Sequence, residues 1–220
     1  MQSWQRGLYV ITDPELIASP DLASRVDAAI SSGAVLVQYR DKSDDNLNRA
    51  ELASAILRVC RTRGVPLIIN DDIALAVAIG ADGVHLGRAD SQLADARQQL
   101  GAHAIIGASC YNEMSRAVAA VELGADYIAF GRFFASRTKP NTVQADIDIL
   151  SRARRRFRIP VVAIGGITAD NGAALISAGA DLLAVIHGVF GQDDTETAAR
   201  SIANLFADKT VNRRSNSICV

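Results

Sequence analysis

Short apolar runs alternate with longer amphipathic stretches along almost the whole chain. Eight runs have strand length and are rich in Val, Ile, Leu and Ala, which is typical of parallel strands buried on both faces. The predicted strands are Leu8–Thr12, Val35–Tyr39, Leu67–Asn70, Gly83–Leu86, Ala104–Ala108, Tyr127–Phe130, Val161–Ile164 and Leu183–Ile186. The predicted helices are Asp21–Ser32, Asp45–Arg63, Asp72–Ile79, Gln92–Leu100, Glu113–Leu123, Ala145–Phe157, Asp170–Ser177 and Thr195–Phe206.

A repeated triplet, Gly-Ala-Asp, separates a helix from the next strand. It occurs at 80–82, 124–126 and 179–181, and Gly33-Ala34 is a looser copy. Glycine suits the end of a helix, where a positive φ is needed. Eight β/α units without a long insertion favour a single closed (β/α)8 TIM barrel over an open α/β sheet. The polar residues that follow each strand are then expected at one face, where barrel enzymes place their active sites.

Composition and charge limit the function classes. The chain has 220 residues, of which 49% are apolar, so it can bury a full core. We expect the barrel over residues 1–208 and a disordered tail over 209–220, which lacks apolar periodicity. The net charge of −1 gives no electrostatic case for nucleic acid or an anionic membrane, and no apolar stretch has membrane-spanning length. Three cysteines without a CxxC motif or a signal peptide indicate a cytoplasmic protein, and a homo-oligomer is left open.

Two cations and an amide follow the second predicted strand. Side chains alternate along a strand, so Gln38, Arg40 and Lys42 share one face while Tyr39 lies on the other. This set suits a polyanion such as a diphosphate. The alternative is an ordinary solvated strand end, in which neighbouring carboxylates neutralise the cations.

Carboxylates follow the third and fourth strands. Asp72 is the best helix cap of its segment, which leaves Asp71 to reach a metal and Asn70 to reach a substrate. Asp90 follows the neighbouring strand, and two carboxylates with diphosphate oxygens and waters form a suitable ligand set for Mg²⁺. The alternative for Asp90 is a helix cap near Ser91. His85, within an apolar run, is more often a hydrogen-bonded core residue than a ligand.

Two further segments at the same face can bind phosphate. The glycines after the seventh and eighth strands, including Gly166 and Gly188, let a phosphate approach backbone N–H groups. The long connection 131–144 after the sixth strand is a lid candidate. Its hydroxyls and cation can contact phosphate oxygens, or they can belong to a solvated loop: Ser136, Thr138 and Lys139.

From Leu8 to Phe206 the chain resembles the thiamine-phosphate synthase family. The resemblance rests on segments in a fixed order and spacing: 37–42 (VQYRDK), 69–72 (INDD), 80–90 (GADGVHLGRAD), 106–109 (IGAS), 124–139 and 161–168 (VVAIGGIT). Each is weak alone, but together they are specific. The resemblance implies a TIM barrel that joins 4-amino-2-methyl-5-(diphosphooxymethyl)pyrimidine to a thiazole phosphate and releases diphosphate.

The resemblance also implies roles for individual residues. The pyrimidine diphosphate would be bound by Gln38, Arg40, Lys42, Asn70, Ser109 and Lys139, of which Arg40, Lys42, Ser109 and Lys139 would act in catalysis. One Mg²⁺ would be held by Asp71 and Asp90. The thiazole phosphate would be bound by Ser136, Thr138 and the backbones of Gly166, Ile186 and His187.

The chain departs from the family's usual pattern at the phosphate end. Arg132, Ala135 and Ser136 stand where Pro, Pro and Thr are usual, and His187 stands where Ser is frequent. Two alternatives therefore accompany the synthase: the related thiazole tautomerase, with which His187 is compatible, and a non-catalytic barrel that binds thiamine precursors. The intact cation and carboxylate sets favour the synthase over both.

Overall fold

A computed structural model describes residues 2–87, 91–135 and 145–207. Eight parallel strands form a closed barrel in chain order, as predicted. They are β1 Gly7–Ile11, β2 Ala34–Tyr39, β3 Leu67–Asn70, β4 Gly83–Leu86, β5 Ile105–Tyr111, β6 Tyr127–Gly131, β7 Val161–Ile164 and β8 Leu182–Val185. Around them lie α1 Leu22–Ser31, α2 Asn46–Arg63, α3 Ile73–Ile79, α4 Ser91–Leu100, α5 Met114–Glu122, α6 Asp148–Arg156, α7 Ala169–Ala178, α8 His187–Phe190 and α9 Thr195–Asn204.

The side chains divide into two apolar layers. Outward-facing strand residues such as Leu8, Val37 and Ile128 pack against the helices. Inward-facing residues such as Leu36, Ile68 and Val162 fill the barrel, and Trp4 joins this inner cluster from the segment before β1. This arrangement explains why the strands lack a polar face: both faces are buried.

The apolar residues Leu47, Ala50, Leu52, Ala55, Ile56 and Val59 recur at helical spacing and predict one buried stripe on α2, and this prediction is partly wrong. Leu47 has the right helical spacing but is 82% exposed, because the first turn of α2 belongs to an exposed stretch. The buried residues of α2 are Ala53, Ile56, Leu57 and Cys60. The buried face therefore lies further along the helix than the spacing suggested.

The aspartates of the Gly-Ala-Asp triplets join neighbouring strands at the face opposite the strand carboxyl ends. Asp82, just before β4, accepts a hydrogen bond from the Leu67 N–H at the start of β3 (2.8 Å). Asp126 does the same for Ile106 (2.8 Å) and Asp181 for Val161 (3.1 Å). Each of these aspartates also donates its own N–H to the same partner's carbonyl. The triplet thus ties each of β3, β5 and β7 to the strand that follows it.

The described cysteines are buried thiols. Cys60 on α2 and Cys110 on β5 form no disulfide, and Cys219 lies outside the described residues together with the predicted tail. Within the described ranges, no helix combines the length and apolar character needed to cross a membrane.

Candidate active site

A pocket opens at the carboxyl ends of the strands, in the centre of the barrel. Several of the predicted site residues line it: Gln38, Arg40, Asn70, Ser109 and Ile186. Ala129, Val162 and Ala184 form part of its apolar wall. The pocket therefore offers a few polar groups on an otherwise apolar surface, which is typical of a site that orients a small organic molecule.

The strand alternation predicted for β2 is confirmed. Gln38 is buried and faces the pocket, Arg40 continues on the same face, and Tyr39 belongs to the outer apolar layer. Two residues after β1 hold Arg40, and the sequence did not single them out. Thr12 Oγ1 accepts from the Arg40 N–H (3.0 Å), and Asp13 Oδ2 lies 3.7 Å from Arg40 Nη1. Asp13 is only 5% exposed, so it is a buried countercharge at the pocket entrance.

A polar groove adjoins the pocket on the β2–β3 side. Lys42 and Asp71 line this groove, and Asn70 lines both the groove and the pocket. Asp71 is exposed and has a φ of 60°, a left-handed conformation that Asp and Asn tolerate better than most residues. Asn70 Nδ2 donates to Asp71 Oδ2 (2.8 Å), which fixes the two side chains relative to each other. The predicted Lys42 and Asp71 therefore lie at one end of the site.

Asp72 has the structural role that the sequence assigned to it. It is the N-cap of α3, and its Oδ1 accepts from the Leu75 N–H (2.9 Å). Its Oδ2 pairs with Arg49 Nη2 of α2 (2.8 Å). Both Asp72 oxygens are thus engaged in joining α2 and α3.

The chemistry of this groove suits a hard divalent cation. Asp71 supplies exposed carboxylate oxygens, and a Cβ on Gly87 would lie 3.4 Å from Asp71 Oδ1, so Asp71 faces the end of β4. Asp90, the second predicted ligand, lies outside the described residues. In the described part of the chain, no group of three or more His, Cys, Asp and Glu side chains is placed to hold a metal. A bound Mg²⁺ would therefore need oxygens from its ligand or from water to complete its shell.

A glycine-lined cradle adjoins the pocket on the β7–β8 side. Gly165, Gly166, Ile186, His187 and Gly188 line it. Gly166 has a φ of 65°, and a Cβ there would come within 2.4 Å of the Ala135 carbonyl oxygen. A Cβ on Gly188 would come within 2.3 Å of the Ile167 carbonyl oxygen. Only glycine fits these positions, and the backbone stays open to an incoming anion.

His187 begins the short helix α8, which the sequence did not predict. A Cβ on Gly191 would lie 2.6 Å from His187 Cδ2, so the imidazole rests over Gly191. His187 and Ile186 both line the cradle, as the resemblance implied.

The first residues after β6 are anchored at the same end. The Phe133 N–H donates to the Ile164 carbonyl (3.3 Å) and the Phe134 N–H to the Gly165 carbonyl (3.1 Å). Arg132 lines the central pocket and Ala135 lines the cradle. These two departures from the usual family pattern therefore face the site. The remaining predicted residues of this loop lie outside the described residues: Ser136, Thr138 and Lys139.

A chain of buried polar groups lies below the pocket. His85 is a hydrogen-bonded core residue, as expected: Nε2 contacts Ser109 Oγ (2.8 Å) and Nδ1 contacts Tyr127 Oη (3.0 Å). Tyr127 Oη contacts Tyr9 Oη (2.8 Å), and Gln38 Nε2 donates to Tyr9 Oη (2.5 Å). Burial raises the pKa of both tyrosines, so both remain protonated. The sequence did not reveal Tyr9 or Tyr127, whose hydroxyls stand in apolar runs.

Comparison with known proteins finds relatives that match this chain in sequence. A family model described as thiamine monophosphate synthase matches residues 8–189. A thiamine-phosphate synthase of Nitrosococcus oceani is 49% identical over 206 residues, covering 94% of this chain and 95% of the relative. One from Azoarcus sp. is 51% identical over 202 residues, covering 92% and 98%.

Solved structures agree with these sequence matches. A thiamine phosphate pyrophosphorylase from Pyrococcus furiosus superposes with a TM-score of 0.83 at 30% identity and covers 94% of this chain and 98% of its own. A 3-hexulose-6-phosphate synthase superposes with a TM-score of 0.67 at 20% identity and covers 91% and 99%, which supports the fold alone.

Proposed function

Because the chain belongs to the thiamine monophosphate synthase family, we propose that it condenses 4-amino-2-methyl-5-(diphosphooxymethyl)pyrimidine with a thiazole phosphate. The products are thiamine phosphate and diphosphate. The chain is thus a transferase of thiamine biosynthesis that acts on small molecules. One observation carries this proposal: the central pocket joins a polar groove, which Lys42 and Asp71 line, to a glycine-lined cradle, so two phosphorylated molecules can meet in the middle.

The pyrimidine diphosphate occupies the pocket and the groove. Its ring lies against the apolar wall near Gln38 and Ser109, and its diphosphate extends towards Arg40, Lys42 and Asn70. We assign Lys139 to the same diphosphate from the family resemblance. Asp71 and Asp90 would hold one Mg²⁺, which when bound supplies positive charge next to the diphosphate.

The thiazole phosphate occupies the cradle. Its phosphate accepts hydrogen bonds from the backbone around Gly166, Ile186 and His187, and from Ser136 and Thr138 in the loop after β6. Its ring then extends towards the central pocket. The cradle and the groove hold the two substrates from opposite ends, which sets the orientation of the reacting atoms.

The reaction needs no covalent link to the protein. The bond between the exocyclic methylene carbon and the diphosphate oxygen breaks, and the electron pair leaves with diphosphate. The aminopyrimidine stabilises the resulting cation, and the thiazole nitrogen donates its lone pair to form the new C–N bond. Arg40 and Lys42 stabilise the charge that grows on the leaving group. The apolar wall keeps water from capturing the cation first.

The proposal extends to the cell compartment and the oligomeric state of the protein. We place the protein in the cytoplasm, because its relatives are biosynthetic enzymes and its described thiols carry no disulfide. A homo-oligomer is compatible with this proposal, which needs residues of one chain only.

The comparisons do not favour the thiazole tautomerase or the non-catalytic barrel, since the relatives above carry synthase names. A tautomerase would also have no use for a diphosphate site built from Arg40, Lys42 and Asp71. His187 therefore serves here as a cradle residue.

The test is diphosphate release from purified protein with both substrates and Mg²⁺, with and without EDTA. The proposal predicts release that depends on the metal and matches thiamine phosphate formation one to one. Thiazole phosphate binding without any diphosphate release would instead support the tautomerase or the non-catalytic barrel.

A further inference from the structure

The polar chain below the pocket connects two residues that face the substrate. Gln38 stands at one end and Ser109 at the other, and Tyr9, Tyr127 and His85 link them inside the barrel. Tyr9 and Tyr127 are almost completely buried, and the proposed reaction uses neither of them directly.

The position of Tyr127 is built into the barrel. Its ring occupies the space beside Gly107, where a Cβ would lie only 2.0 Å from the tyrosine Cζ. The ring also stacks near His85, with centroids 5.5 Å apart, and meets Trp4 edge-on at 6.2 Å. The hydroxyl is thereby held between Tyr9 and His85 and has little freedom to turn elsewhere.

Counting protons along these contacts gives the chain a direction. Gln38 Nε2 can only donate, so Tyr9 Oη accepts from it; a Tyr9 hydroxyl that keeps its proton within the chain then donates to Tyr127 Oη. Tyr127 then donates to His85 Nδ1, which must carry a lone pair. The proton of the neutral imidazole is left on Nε2, which donates to Ser109 Oγ. The Ser109 hydroxyl proton remains to be donated into the pocket.

With a neutral His85 and both tyrosine protons donated within these four contacts, the opposite direction is the only other consistent pattern. It requires the Gln38 amide to be turned, so that its oxygen accepts from Tyr9. Every bond then reverses, His85 carries its proton on Nδ1, and Ser109 donates back to His85. Ser109 would then meet the substrate as an acceptor. The two directions therefore predict different histidine tautomers.

We propose that Tyr9 and Tyr127 are positioning residues that fix His85 in the Nε2–H tautomer and thereby present Ser109 as a hydrogen-bond donor to the pyrimidine substrate. This inference rests on the proposed function for the identity of that substrate. A donor at Ser109 complements a ring nitrogen, which accepts, and not the amino group, which donates. The chain thus determines which edge of the ring the pocket recognises.

The direct test is ¹⁵N NMR of the ligand-free wild-type protein labelled in its histidines. His85→Gln assigns the His85 signals among those of His103 and His187. The proposal predicts a protonated Nε2 and a hydrogen-bonded, unprotonated Nδ1. A protonated Nδ1 on His85 would overturn it. So would a His85 signal averaged over both tautomers, as expected for an exposed histidine such as His103. This measurement does not depend on the enzymatic activity, so it separates failure of this inference from failure of the proposed function.

Tyr127→Phe supplies the second measurement, because it keeps the ring and removes only the hydroxyl. We expect the His85 Nδ1 signal to move to higher frequency as it loses its donor. The KM for the pyrimidine diphosphate should rise roughly three- to tenfold, with the KM for the thiazole phosphate unchanged. Tyr39→Phe is the matched spectroscopic control, since its hydroxyl donates to Asp41 and to no member of the polar chain, and it should leave the His85 signals in place. Unchanged signals and kinetics in a folded Tyr127→Phe protein would overturn the positioning role.

Discussion

Arg40, which lines the pocket, lies beside the buried Asp13, with Arg40 Nη1 3.7 Å from Asp13 Oδ2. Asp13 also accepts from the Glu15 N–H (3.1 Å), so the carboxylate is fixed by its own loop before it meets the guanidinium. The Asp13 carboxylate partly cancels the positive charge that Arg40 offers to the diphosphate. It also fixes the position of the Arg40 guanidinium. For recognition of a diphosphate by a planar guanidinium, we expect position to matter more.

Asp13→Asn tests this balance, because it removes the charge and keeps the shape. We expect the KM for the pyrimidine diphosphate to rise by roughly three- to tenfold while kcat changes less. Asp27→Asn is the control: Asp27 pairs with Arg63 between α1 and α2, on the exposed outer surface, and its loss should leave the kinetics unchanged. A lower KM in Asp13→Asn would show that neutralisation outweighs positioning.

Asp71 and Asp72 are neighbours with opposite expected phenotypes. Asp71→Asn should lower kcat at least about a hundredfold with little change in melting temperature, since Asn tolerates the same left-handed backbone. Asp72→Ala should lower stability by about 1–2 kcal/mol through loss of the α3 cap and the Arg49 pair, with a much smaller loss of kcat. Steady-state kinetics and thermal melts on both variants check this. Equal losses of kcat would remove Asp71 from the proposed metal site.

Gly166 and Gly64 form a matched pair, with φ values of 65° and 66°. Gly64→Ala meets nothing within 4 Å, so it should lose only about 1 kcal/mol of stability for the positive φ and keep wild-type kinetics. Gly166→Ala additionally presses against the Ala135 carbonyl and narrows the cradle. We expect its KM for the thiazole phosphate to rise more than about tenfold. A rise confined to the pyrimidine substrate would contradict the assignment of the cradle.

Alkaline conditions should destabilise the protein. Burial, reinforced by the Asp82 carboxylate, raises the pKa of the Cys60 thiol to about 12. In the unfolded chain a thiol ionises at about pH 8.5. Between this pH and the folded-state pKa of about 12, the unfolded state therefore binds fewer protons than the folded state. The free energy of unfolding therefore falls as the pH rises through this window. The raised pKa values of Tyr9 and Tyr127 add to the fall from about pH 10, where an unfolded tyrosine ionises.

Urea denaturation at pH 8, 9 and 10 measures this decline, and Cys60→Ala should show a shallower slope on a lower baseline. Thiol labelling of the native Cys219→Ser protein at pH 8 should leave Cys60 unmodified, because the thiolate is scarce and buried. Rapid native labelling of Cys60, or equal slopes in the two proteins, would refute the argument.

Asp181 offers a test of the triplet aspartates. Its side chain is only 4% exposed and accepts from the Val161 N–H and from Arg154. Asp181→Ala should therefore lower stability by about 2–4 kcal/mol, since it leaves a buried N–H without its acceptor. The exposed Asp170 in the first turn of α7 is the control, and Asp170→Ala should change stability by less than about 0.5 kcal/mol. Thermal melts of the two folded, active variants measure the difference. Equal losses of stability in Asp181→Ala and Asp170→Ala would contradict the role assigned to Asp181.

Local patterns in the sequence were sufficient for the fold and for part of the site. Buried parallel strands have a simple apolar signature, and the strand alternation at Gln38 and the capping preference at Asp72 are local rules. β5 is longer than predicted because Ser109 and Tyr111 end the apolar run while the strand pairing continues. The four residues of α8 are too few to show a helical period.

The parts of the site that the sequence did not reveal depend on distant partners. Tyr9 and Tyr127 meet across 118 positions of the chain, so no window around either residue contains the contact. In the sequence Asp13 is an ordinary loop residue, and only the fold brings it next to Arg40. The proposed roles of Asp90, Ser136, Thr138 and Lys139 remain predictions, because these residues lie outside the described part of the chain.

The strand ties made by Asp82, Asp126 and Asp181 lie at the base of the barrel, on the far side from the substrates. Of the four residues that differ from the family's usual pattern, the three that the structure describes lie at the rim: Arg132, Ala135 and His187. The hydrogen bonds that align the strands and the residues that face the substrates are therefore at opposite ends of the barrel. A substitution at the rim that alters which precursor binds would leave these three carboxylates and the strand register untouched.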